Sequence, residues 1–199
     1  MKVALPIHGM NSRTAGRDSI DRAAYGMAVD IVDADDADYD FALFMRIWFF
    51  KRPLIERIAG GIKKWLDDDR ITEIWLPVHS NGLNFALQAL KLLQKRGQRG
   101  DKRIIIVSLS GCANRKVNTD VATEVHNWYT ERDGWLKAAK CLPSWTMGSF
   151  GLGPYRGKSK NVIDKRITNH ISSHSQWFKG HSLSMTIKKI NQLISSKTK

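Results

Sequence analysis

Cysteine is scarce in this chain: Cys112 and Cys141 are the two in 199 residues, and neither stands in a C-x-x-C or comparable spacing. That excludes a disulfide framework and the common zinc-ligand patterns, and the expectation is two reduced thiols. Long apolar runs are missing too. A membrane-crossing helix needs about 20 mostly apolar residues, whereas the greasiest window, Phe41 to Phe50, is short and interrupted by Arg46. A buried helix is its expected role, ahead of an acyl-pocket lining. The amino-terminal apolar run ends at His8, without a cleavage pattern after it, so a secretory signal is not expected. The expectation is a cytoplasmic chain that starts near Met1. Acidic residues are nearly absent from the last third: Gly134 to Lys199 holds twelve Lys or Arg against one acid, Asp164, which puts +11 of the formal net charge of +13 there. Such a region would suit nucleic acid, an anionic surface or an acidic substrate. Basic-aromatic repeats, finger spacings and RNA-binding signatures are missing, so a solvated basic face is the plainer reading.

What is present is ordinary for a globular chain. Hydrophobic residues make up 42% and charged residues 26%, enough for a core and against wholesale disorder. The length suits one domain, expected over 1–194 with a basic tail at 195–199. There is no internal repeat and no low-complexity segment. Strand-like segments are expected at Val3 to Ile7, Ala28 to Val32, Ile71 to Leu76, Arg103 to Leu109, Val121 to Thr130 and Asn161 to Thr168. Helical spacing is expected at Arg17 to Tyr25, across Phe41 to Leu66 with a boundary or first turn at Pro53, and at Leu83 to Gln94. It returns at Trp135 to Cys141 and Leu183 to Ile194. Asp33 to Asp40 reads as a polar connection and Pro143 to Lys160, rich in glycine, as an extended loop. This alternation predicts an α/β fold: a mostly parallel sheet covered by helices on both faces.

Ser80, in Val78-His79-Ser80-Asn81-Gly82, falls where a strand hands over to a helix. In the G-x-S-x-G elbow a serine is held on such a turn in strained backbone geometry with its hydroxyl presented for attack. Gly82 keeps the second glycine, and Val78 replaces the first. A nucleophile there makes three demands. Oxyanion donors would be the amide of Asn81 and one from the loop after the first strand, where His8-Gly9-Met10 stands; Gly9 lets the chain turn and Met10 offers the amide. A carboxylate should follow a later strand, and Asp133 does, with Glu131 and Asp120 as rivals. A histidine should come near the end, and His170, His174 and His181 qualify by order. His174 stands just before an aromatic pair, Trp177-Phe178, suited to anchoring its loop.

These segments together resemble a family. HGMNS after the first strand, the VHSNG turn, the ERDG turn, and SWTMGSFGLGPYRGKSKNVIDKRITNHISSHSQWF look like the α/β-hydrolases, in particular small lipase-like members found in bacteria and phages. In that group a glycine-rich segment, matched by Met147-Gly148 and Gly151, precedes the last strand. A His-Ser-x-aromatic-aromatic motif, matched by His174-Ser175-Gln176-Trp177-Phe178, carries the catalytic histidine. The resemblance implies an α/β-hydrolase fold with little or no lid. It also implies Ser80 as nucleophile, Asp133 as acid and His174 as base, acting on a small-molecule or lipid-like acyl substrate without metal or organic cofactor. The valine at 78 departs from the pattern and keeps a second class in view, a non-catalytic hydrolase-fold protein binding an anionic partner through its basic third.

Other motifs are weaker. Gly153 to Ser159 looks like a phosphate loop but has three residues between its glycines where that loop has four, and a strand follows. His79 is expected to pack or hydrogen-bond beneath the turn, and His126 to be structural. A zinc site from His126, Cys112 and Cys141 has no support in the spacing.

Overall fold

The computed structural model describes residues 1–9, 17–34, 52–139, 150–167, 171, 173–174 and 176–196. Six strands, β1 (Lys2–Ala4), β2 (Ile31–Val32), β3 (Glu73–His79), β4 (Arg103–Leu109), β5 (Glu124–Tyr129) and β6 (Val162–Arg166), form one sheet in the order β2-β1-β3-β4-β5-β6. Every pairing is parallel. The helices are α1 (Arg17–Tyr25), α2 (Arg52–Leu66), α3 (Gly82–Lys95), α4 (Gly134–Ala139) and α5 (Gly180–Ser196).

The period-2 alternation of the strands sorts the core into two layers. One face of the sheet, with Val3, Ile74, Leu76, Val78, Ile104 and Ile106, packs on the apolar stripes of α2 and α3, among them Ile58, Ile62, Ala86 and Leu90. The other, with Ala4, Trp75, Ile105, Val107, Leu109 and Trp128, packs on α1 and α5 through Ile20, Ala24, Ile190 and Ile194. The expected α/β architecture with both faces covered is what the chain adopts. Pro53 sits in the first turn of α2, where its missing N–H costs nothing.

Element boundaries moved for local reasons. The expected Val3 to Ile7 strand does run on beside β3, with Leu5 and Ile7 amides donating to the Trp75 and Pro77 carbonyls, while Pro6, which has no N–H, lies between them and faces away from β3. The segment before β5 turns, Ala122 N–H donating to the Thr119 carbonyl, so the strand begins at Glu124 and not at Val121. Helix α5 runs through Ser196, two residues past the expected end of the domain at 194. Phe41 to Phe50, Asp35 to Asp40 and Cys141 lie outside the described residues. Among the described residues no helix is long and apolar enough to cross a membrane.

β1 is flanked by β2 on one side and β3 on the other, so the winding reverses between β1 and β3. In open parallel sheets that reversal opens a crevice at the carboxyl ends of the strands, where ligands collect.

Candidate active site

Gly9 follows β1 and Ser80 follows β3, so both stand at that crevice. Ser80 has φ of +54°, the left-handed region, in a residue with a Cβ. Such a conformation costs about 1–3 kcal/mol and persists where its surroundings over-determine it. Here the Ser80 carbonyl accepts the Cys112 amide at 2.7 Å and its own amide donates to the Leu109 carbonyl at 3.3 Å. Gly9 and Gly82 supply the room. A Cβ on Gly9 would lie 2.6 Å from the Ser80 Cβ, and one on Gly82 would lie 2.3 Å from the Ile7 carbonyl oxygen. Val78 is accommodated because it is fully buried in the sheet, bridging Ile7 on one side and registered with the small Ser108 on the other.

Asp133 follows β5 and is fully buried. Its Oδ2 accepts from His174 Nδ1 at 2.7 Å, and its Oδ1 accepts the Leu136 amide at 3.0 Å. Burial acts to raise its pKa, but the hydrogen bond and charge of His174, the Leu136 amide and the Ser110 hydroxyl outweigh burial and hold the carboxyl below the ordinary value. The rivals are placed differently: Glu131 is exposed and paired with Arg166 at 2.7 Å, and Asp120 is exposed. His181 is exposed in the first turn of α5, and His170 lies outside the described residues.

His174 comes after β6, three strands from β3, and adjacent strands are about 4.8 Å apart. The segment carrying it must therefore fold back across the ends of β5 and β4. Three hydrogen bonds hold it there: Thr130 Oγ1 to the Ile171 carbonyl at 3.2 Å, Trp177 Nε1 to Ser110 Oγ at 2.7 Å, and His79 Nε2 to the His174 carbonyl at 2.9 Å. The last ties His174 to the residue beside Ser80, and the two imidazole rings lie 4.5 Å apart. Trp177 is fully buried, and Phe178 packs edge-on against His79 at 4.9 Å, so the aromatic pair anchors the loop as expected.

Comparison with family models and with curated proteins gives no match for this chain. The chemistry must be read from the side chains.

With Nδ1 committed to a carboxylate, His174 presents Nε2 as a proton acceptor, and the carboxylate stabilises the imidazolium that results. Asn81 is buried at the N-cap of α3, and amides in a first helical turn have no intrahelical acceptor and suit a developing anion. Met10 lies outside the described residues, whereas its neighbour Gly9 sits against Ser80. Among the described residues no group of three histidine, cysteine or carboxylate side chains could hold a metal ion. His126 is buried on β5, where its Nε2 meets Glu124 Oε2 at 3.1 Å.

Sequence reasoning missed two supports, Ser110 and His8, and expected a third, His79, to pack or hydrogen-bond beneath the turn. Ser110, after β4, is also at positive φ, +50°, despite its Cβ; its oxygen takes the Trp177 N–H, leaving its own proton for Asp133. His8 is buried and bonded through Nε2 to Asp21 on α1 at 2.9 Å, which fixes the loop leading into Gly9. His79 hydrogen-bonds beneath the turn, as expected. Burial, reinforced by the nearby His174, pulls its pKa down to about 3, so it stays neutral and its Nε2–H remains a donor. A serine following the strand Arg103 to Leu109 was the available signal for Ser110; nothing local marked His8.

Proposed function

We propose that this protein is a serine hydrolase of the α/β-hydrolase type, cleaving an ester or related acyl bond through Ser80, His174 and Asp133. The observation that carries the reading is the buried Asp133–His174 hydrogen bond of 2.7 Å, folded back against the turn on which Ser80 is held at positive φ. The chain order serine, acid, histidine is the order of that architecture.

In the reaction, Ser80 Oγ attacks the acyl carbon as His174 Nε2 takes its proton, and the carbonyl electron pair moves onto oxygen. The Asn81 amide and one from the loop after Gly9, assigned to Met10, stabilise that oxyanion. Its collapse breaks the bond to the alcohol oxygen, which leaves with the proton from His174. Water then adds to the acyl-enzyme by the same route, releasing the carboxylic acid and restoring Ser80. Asp133 remains ionised throughout and holds the imidazole in the working tautomer.

Labelling with a fluorophosphonate tests this directly. Wild type should label, and Ser80→Ala and His174→Ala should not. A wild type that is folded by circular dichroism yet refuses the probe would sink the reading and shift attention to an anionic partner for the basic third, recognised by steep salt dependence of binding.

A further inference from the structure

Trp135 is set beside His174 and left half in water. It lies on the first turn of α4, between two residues whose positions are fixed: Asp133, whose Oδ1 takes the Leu136 amide, and Leu136, which is fully buried. With its neighbours facing inward, Trp135 is directed outward and is 47% exposed. Its ring centroid stands 6.4 Å from that of His174, with the planes at 49°. Single exposed apolar residues are ordinary on a surface; the position of this one against His174 is what distinguishes it.

We infer that Trp135 is the platform for the leaving group of the substrate, and that this group is flat and apolar. The inference rests on the hydrolase reading above. A departing oxygen must come within hydrogen-bond reach of His174 Nε2 to receive its proton, so whatever that oxygen carries extends past the imidazole. Among the described residues, Trp135 is the exposed aromatic ring that meets His174. A tryptophan face also attracts cations, but Lys137 is exposed on the same short helix and the chain carries +13, which weighs against a cationic alcohol.

The test uses the full chain and two butanoate esters with one acyl group and different alcohols, 2-naphthyl and ethyl. Trp135→Ala should lower kcat/KM on the naphthyl ester about tenfold, in keeping with the loss of an aromatic contact and its buried area. The ethyl ester should change less than about twofold, and Trp135→Phe should keep most of the naphthyl rate. Equal losses on both esters, or none on either, would overturn the inference. So would a wild type that turns over neither ester: if the fluorophosphonate still labels it the hydrolase reading survives alone, and if it does not, both fall.

Discussion

The neutrality of His79 gives the protein a stability profile in mild acid that can be calculated before it is measured. In the folded state His79 is held neutral to about pH 3, whereas the unfolded chain protonates it near its ordinary 6.5. Between those values the unfolded state binds a proton that the folded state refuses. The contribution is therefore fully present above pH 6.5 and is lost as pH falls, at about 1.4 kcal/mol per pH unit. At pH 4.5 the loss reaches about 3 kcal/mol, a large part of a typical domain's margin of about 5–15 kcal/mol. Asp133 does not blur this window: its carboxyl is lowered by folding, so its contribution is complete above the unfolded value of 3.8 and drains below that. The perturbation is His79→Gln, which keeps an amide donor toward the His174 carbonyl but cannot titrate. Urea unfolding of both proteins at pH 7.5 and pH 4.5 should show wild type losing about 3 kcal/mol more than the variant. Parallel losses in the two proteins would refute the reasoning, because His79 would then accept its proton without unfolding.

Three further outcomes are expected. Asp133→Asn should lower kcat by about 10⁴, because the wrong imidazole tautomer faces the serine, whereas Glu131→Gln should keep its rate and shift stability by less than about 1 kcal/mol, Glu131 being in an exposed pair with Arg166; the reverse result in ester assays would reassign the acid. Ser110→Ala leaves the buried Trp177 N–H without its acceptor and should cost about 1–3 kcal/mol in urea unfolding, together with a fall in kcat as the His174 segment loosens. Gly82→Ala brings a Cβ to 2.3 Å from the Ile7 carbonyl oxygen, so the loop into Gly9 must shift; a loss of about 1–3 kcal/mol and of fluorophosphonate labelling is expected, and an unchanged melting profile would argue against the close approach.

Local signals carried most of the fold. The β-branched run Arg103 to Leu109 reads as a buried parallel strand and forms one with those ends. Helix α3 extends its expected span by one residue at each end, because the spacing of Leu83, Leu87, Leu90 and Leu93 already defines its buried side. The candidate site residues Ser80, Asp133 and His174 were singled out by type and order, and Asp133 and His174 do meet in the fold. The partners in the supporting bonds were not readable in this way. His79 meets a carbonyl 95 residues away and Trp177 a hydroxyl 67 residues away, and no local pattern encodes which distant group a buried donor will find. The strand at Val121 was drawn too long for a related reason: Val121 and Ala122 are buried and apolar, yet they sit in a turn whose geometry Thr119 sets.

Gly9, Ser80, Ser110, Asp133 and His174 follow β1, β3, β4, β5 and β6, five neighbouring strands in sheet order. Each of these five loops at the carboxyl edge thus delivers one component, and the sheet acts as a ruler that sets their spacing. The turns at the opposite edge, such as 96–102 between α3 and β4, deliver none of these residues. Insertions, affinity tags or new chain ends introduced there leave the ruler and its markings in place, which makes that edge the natural handle by which the molecule can be immobilised or rewired with its chemistry facing outward.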